Sequence, residues 1–379
     1  MITELEIKNY KSIRELKLPL GRINVFIGEN GAGKSNILEV IALAGAAAAD
    51  KLDHEFLSSR GIRVTSPEFM RPAFPDSDPV VPIEIGTAAD GRHITFQLNN
   101  ENAPYSKWMS AISDDAFNIT DIPHIREFVA TSAIDYGLRD GGANLAQILA
   151  KIVIRNTAHV RNLHSFVIFS PENSAMRIFE REGQIEPLGI NGEGLLKLLS
   201  FYASKPDDTT LAKVKDSLKL FDWFDDFITE SVTSEARLLV RDRYLDENLK
   251  GFDHRSTNEG FFFLLFYFLL FNSELTPKFF AVDNIDASLN PKLCEKLIQE
   301  LSALAKTNDK QAILTTHNPA VLDGLDLNDD DQRLFVVSRG RDGTTKVKRI
   351  KKPEPVNGNN LRLSELFIHG LIGGLPKGF

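Results

Sequence analysis

Gly28-Glu29-Asn30-Gly31-Ala32-Gly33-Lys34-Ser35 matches the pattern G-x-x-x-x-G-K-[ST] in full. Ile23–Ile27, a short apolar run suited to a strand, precedes it, and Ile37–Leu43 opens a helix behind it. Strand, glycine loop and helix together form the setting this phosphate-binding pattern needs. The glycines let successive backbone N–H groups face one anionic point at the positive end of the helix. Lys34 then reaches the β- and γ-phosphates, and the Ser35 hydroxyl is placed to hold Mg²⁺. The expected ligands are ATP and Mg²⁺.

The chain has 379 residues, 42% of them hydrophobic and 25% charged, enough for one large or two ordinary domains. A formal net charge of −8 argues against a wholesale nucleic-acid coat, so DNA contact would need a local patch. Cys294 is the single cysteine, which excludes an intrachain disulfide and suits a reducing cytoplasm. The acidic start Met1–Glu6 is unlike a signal peptide. Phe261–Phe271 is uncharged and apolar but far short of the ~20 residues a membrane helix requires. It and the Ala-rich run Ile41–Ala49 read as buried helices. No membrane span is expected.

Downstream, Phe279-Phe280-Ala281-Val282-Asp283 looks like a fully buried parallel strand ending in a carboxylate. In such folds the carboxylate projects into the ligand crevice and holds Mg²⁺ with Ser35. Asn290 and Pro291 suit the N-cap and first turn of a helix over Lys292–Ala305. Gln311–Thr316 reads as another buried strand, closing at His317. A lone histidine is ordinarily structural. At the end of a strand expected beside that of Asp283, it reads as a γ-phosphate sensor.

This ordering resembles the ATP-binding-cassette ATPases of the SMC/RecF type and, within them, the OLD-like ATPases. The matching segments are Asn9–Ser12, Gly28–Asn36, Val282–Pro291 and Thr315–Pro319, with a weaker match at Asn258-Glu259-Gly260. The resemblance implies nucleotide contacts at Lys11, Asn30, Gly31, Gly33, Lys34, Ser35, Asn36, Asn258 and Gly260. It makes Asp283 the Walker B aspartate, Ser288–Pro291 the D-loop and His317 the switch histidine. For the Q-loop, Gln97 and Gln147 both remain open.

Two positions depart from the pattern. The catalytic glutamate after Walker B is here Asn284, which cannot accept a proton at neutral pH. Asp286 is the nearest carboxylate able to substitute; alternatively it only stabilises the D-loop turn. The signature offers Asn258 where the family has serine. Binding is thus expected to be secure and hydrolysis slow.

The expected architecture is α/β, a P-loop ABC-type ATPase with a mixed, mainly parallel sheet, an antiparallel β subdomain and a mostly helical insert. Its parts are an N-terminal ATPase half over 1–104, the insert over 105–250, the C-terminal half over 251–352 and a tail over 353–379. Val81–Thr87 and Arg92–Leu98 read as a hairpin. Asn144–Arg155, Gly194–Ala203 and Leu211–Leu220 read as helices of the insert, and no heptad register supports a long coiled coil. Two basic clusters, Lys151–His164 and Arg339–Lys352, read either as solvated surface or as DNA contacts. The tail holds an apolar run that packs on its own lobe or docks a partner, and it is too short for the Toprim nuclease domain that OLD nucleases carry.

The family architecture implies a homodimer sandwiching ATP. The expected role is a slowly hydrolysing dimerising switch, the ATPase of a prokaryotic anti-phage defence system acting with a separate effector such as a nuclease. A RecF-like DNA clamp and a non-hydrolysing scaffold are the alternatives.

Overall fold

The computed structural model describes residues 1–115, 154–179, 184–205, 207–232, 235–354 and 361–375. The expected helix Asn144–Arg155 therefore lies largely outside the described residues, as do Gln147 and Lys151.

Strands β1 (Glu4–Tyr10) and β2 (Ile13–Pro19) form a hairpin, and β3 (Ile23–Gly28) follows with all six residues buried. Its C-terminal end runs through the glycine loop into helix α1 (Lys34–Ala49). Strands β4 (Ile83–Ala89) and β5 (Arg92–Asn99) turn tightly through Asp90 and Gly91. Both turn residues have positive φ, the conformation a two-residue hairpin favours. With β6 (Met109–Asp114) they complete an antiparallel sheet ordered β2-β1-β4-β5-β6.

The short β7 (Ile168–Phe169) comes next, then β8 (Phe224–Val232), β9 (Glu235–Asp242) and β10 (Phe252–Asp253). The segment 105–250, expected to be mostly helical, thus also carries strands. Helices Leu195–Ala203 and Thr210–Leu218 form where the 3.6-residue period predicts them. The antiparallel pair β8–β9 was not foreseen, because a bulge between Phe224 and Asp226 breaks the alternation that marks a strand.

Strands β11 (Phe279–Val282), β12 (Gln311–Thr316), β13 (Gln332–Arg339) and β14 (Thr345–Ile350) complete the six-stranded sheet β14-β13-β3-β12-β11-β7. Every pairing in it is parallel except the β13–β14 hairpin. Because the β3, β11 and β12 strands run the same way, Gly28, Asp283 and His317 emerge at one edge.

Side chains alternate across this sheet. Ile23, Val25 and Ile27 face a core built on the helix Glu259–Asn272, whose residues Phe261–Phe271 are each 3% exposed or less. Being apolar all round, that helix is stable only when packed on every side. Phe26 faces the opposite core, formed by α1 and the antiparallel sheet, and stacks on Phe335 at 4.7 Å. Gln311 links the two sheets: its amide accepts from Ile2 N (2.9 Å) and donates to the Ile2 and Gly21 carbonyls (2.6 and 2.7 Å). In α1, a Cβ at Gly45 would stand 2.3 Å from the Leu163 carbonyl, so only glycine lets helix Ala158–His164 approach this closely.

The tail residues Leu366, Phe367 and Ile372 join the same core as the phenylalanine helix, which settles the expected packing for the described part of the tail. Among the described residues no helix is long and apolar enough to cross a membrane.

Candidate nucleotide site

The loop geometry follows from its glycines. Gly31 and Gly33 have φ of 75° and 106°, and a Cβ on Gly33 would stand 2.1 Å from Thr345 Oγ1. Asn30 and Gly31 form the exposed crest. Lys34, 6% exposed, donates from Nζ to the Gly28 carbonyl (2.8 Å) and the Glu29 carbonyl (3.0 Å). Burial lowers its pKa to about 8, against the pull of Asp283, Glu29 and Asp286.

Ser35 Oγ lies 3.5 Å from Asp283 Oδ2, and the other oxygen of Asp283 accepts a short hydrogen bond from the Thr315 hydroxyl. The Thr316 hydroxyl donates to Asp286 Oδ1 at 2.6 Å. His317 is exposed yet held below the ordinary histidine pKa, first by desolvation and then by the Lys34 charge. Asp286, Asp283 and a hydrogen bond to the Gly28 carbonyl oppose that shift. Lys34, Asp283, Asp286 and His317 therefore share one electrostatic environment at the mouth of the loop. A hydroxyl and a carboxylate oxygen at this separation suit an oxygen-seeking dication, so Ser35 and Asp283 fit a Mg²⁺ site.

Asn284 is different. Its side chain is exposed, while its backbone N–H donates to Thr315 Oγ1 at 3.0 Å. Its φ of 55° is a left-handed conformation that asparagine enters far more readily than glutamate.

Asn258 and Gly260 lie at the start of the phenylalanine helix. Asn258 Oδ1 accepts from Phe261 N (2.8 Å), and Glu259 Oε1 accepts from the Ser288 hydroxyl (2.7 Å). The segments expected to form the signature and the D-loop are thus tied to each other. Asn36 Nδ2 donates to Ser12 Oγ (2.7 Å), which also pairs with Thr345 Oγ1 (2.7 Å). Lys11 turns toward Glu39 and the Arg63 carbonyl. Beside the loop opens a cavity of about 440 Å³, lined by Lys11, Ser12, Asn36 and Arg63, with Phe69 and Phe74 on its apolar side.

Sequence reading missed Thr315 and Thr316; two adjacent hydroxyls closing an apolar strand are the only local signal. Gln97 lies on β5 in the antiparallel sheet. Ser170 follows β7, the strand that borders β11, and Asp283 N donates to the Phe169 carbonyl at 2.8 Å. In the first basic cluster, His159 is buried against Thr87 Oγ1 (2.9 Å), and desolvation lowers its pKa to about 4. Buried and neutral near pH 7, it adds no charge to the surface.

A profile described as "AAA ATPase domain" matches residues 1–121, and one described as "AAA domain, putative AbiEii toxin, Type IV TA system" matches residues 260–323. An uncharacterized protein of Methanocaldococcus jannaschii is 57% identical over 44 residues, and an OLD nuclease of Thermus scotoductus is 42% identical over 43 residues. Each stretch is 11% of this chain, and they span only 20% and 8% of those proteins. A Pyrococcus furiosus Smc head domain with an extended coiled coil, bound to the C-terminal domain of ScpA, shares the fold. Its TM-score is 0.52 at 16% identity, over 92% of this chain and 96% of that one. Two ATPase-domain profiles thus match the two ends of the chain, and its fold is that of an SMC head domain.

The depressed Lys34 pKa has a testable sign. Above about pH 8 the ligand-free protein holds a neutral amine, whereas a bound phosphate favours the ammonium. ATP binding at pH 9 is expected to take up close to one proton, and at pH 6.5 none through this group. Calorimetry in two buffers of different ionisation enthalpy measures the uptake; equal heats at pH 9 contradict it.

Proposed function

We propose that the chain is an ATP-driven dimerising switch that hydrolyses its nucleotide slowly. The observation that carries this reading is the division of the chemistry between two elements of the fold. Lys34, Ser35, Asp283, Asp286 and His317 converge at the loop, while Asn258 and Gly260 sit beside Ser288 on another element. Asn258 and Ser288 are exposed, available to the phosphates of a second copy.

In this reading Lys34 neutralises developing charge on the γ-phosphate, and Asn30, Gly31, Gly33 and Asn36 shape the cradle. Ser35 and Asp283 hold Mg²⁺, which when bound supplies further charge stabilisation. His317 senses the γ-phosphate. Asp286, oriented by Thr316, positions the attacking water and accepts its proton, because Asn284 cannot. With asparagine in that place, turnover is slow enough for a timer. The likeness to an OLD nuclease and to a domain described as a putative AbiEii toxin supports placement in a prokaryotic defence system with a separate effector.

Sedimentation velocity with single-turnover kinetics tests the switch. ATP with Mg²⁺ is expected to convert monomer to dimer, with reversal at the rate of cleavage. A sedimentation coefficient that ATP leaves unchanged overturns the dimer; a dimer that persists without cleavage leaves only the scaffold.

A further inference from the structure

Glu39 belongs to none of the motifs above, yet it is 1% exposed on α1, one turn beyond Ser35. A carboxylate so buried must be paired. Its Oε1 accepts from Arg63 Nε (2.6 Å) and, more weakly, from Arg63 N (3.3 Å). Its Oε2 accepts from the Tyr10 hydroxyl (3.1 Å) and from Lys11 Nζ. Lys11 also donates to the Arg63 carbonyl (3.1 Å), closing the cluster.

One carboxylate against two cations leaves a single positive charge. Both cations line the cavity of about 440 Å³ that opens at Asn36 and Ser12 beside the phosphate loop. Arg63 uses its Nε edge on Glu39 and reaches Asn36 Oδ1 with Nη2 (3.5 Å), while its side chain as a whole is 66% exposed. Neither cation is preset by its own backbone alone: Lys11 sits in a left-handed turn, and Arg63 lies in the loop between helix His54–Ser59 and β4. Both converge on the one carboxylate of Glu39.

We infer that Glu39 is a positioning residue that presents Lys11 and Arg63 to the α-phosphate and sugar side of the bound nucleotide. The inference rests on the nucleotide reading of this site. Because Asn36 and Ser12, not the Asp283–His317 edge, open into the cavity, the contact is made below the γ-phosphate. It is therefore blind to whether the nucleotide is a di- or triphosphate.

Glu39→Gln keeps the shape and removes the charge. Its Kd for ATP and for ADP is expected to rise about tenfold alike, with KM following and kcat within about twofold. Fluorescent-nucleotide titration and single-turnover kinetics read both, beside wild type and Lys34→Ala. Loss confined to ATP overturns the inference, as does an unchanged Kd accompanied by a lower melting temperature, which assigns Glu39 to the fold alone. Should Glu39→Gln fail to fold, Arg63→Gln at an exposed side chain is expected to weaken both nucleotides about fivefold, and an unchanged Kd there overturns it. A wild type that binds neither nucleotide sinks the nucleotide reading and this inference with it, whereas a wild type that binds while both variants match it sinks the inference alone.

Discussion

Lys34→Ala is expected to lower the single-turnover rate of ATP cleavage by about 10²–10³, the loss typical of one preorganised donor to a developing negative charge. The ammonium stands in the mouth of the loop, held by the Gly28 and Glu29 carbonyls and facing Asp283 and Asp286. Alanine takes a charge out of a buried position, where Lys34 is 6% exposed. The fold should therefore survive, and a thermal melt within a few degrees of wild type separates lost chemistry from lost structure. Cleavage at the wild-type rate would remove Lys34 from the reaction and sink the site as assigned.

Asp286→Asn is the second large effect. The asparagine keeps a carbonyl oxygen for the Thr316 hydroxyl, so the turn keeps its geometry. It loses the capacity to take a proton, and general-base catalysis is commonly worth about 10²–10⁴ in rate. Cleavage should fall within that range while the Kd for ATP stays within about threefold, since Lys34, Ser35 and the loop amides are untouched. Asn284→Ala, at an exposed side chain, is the companion measurement and should change the rate little. If Asn284→Ala abolishes cleavage and Asp286→Asn does not, the roles reverse and Asp286 is only a brace for the turn.

The parts of this site that local chemistry fixes were readable in the chain. The glycine loop declares itself by spacing, and the run ending in Asp283 by four apolar residues closed by a carboxylate. His317 was legible only through an expected strand neighbour, and β11 does pair in parallel with β12. What escaped depends on register between distant strands. Thr315 and Thr316 end a strand expected beside that of Asp283, but which carboxylate each hydroxyl meets is set by the register of β12 and the turn after β11. Glu39 was hidden in the same way: an acid in an apolar helix looks incidental until Lys11 and Arg63 are folded onto it. The β8–β9 pair was lost to its bulge, a local irregularity that defeats any fixed period.

The central place of β3 has a consequence for how the protein is made. Its six buried residues are covered on one side by β12 and on the other by β13. About 280 residues of synthesis separate β3 from the start of β12, which at ordinary translation speeds is roughly 15–60 s. For that time a strand of aggregation-prone character waits without either neighbour, and contacts this distant in sequence also form slowly once available. Expression at low temperature or with added chaperones should raise the soluble yield more than it would for a protein of similar size with local pairing. The element that carries the nucleotide loop emerges among the earliest and is secured among the last.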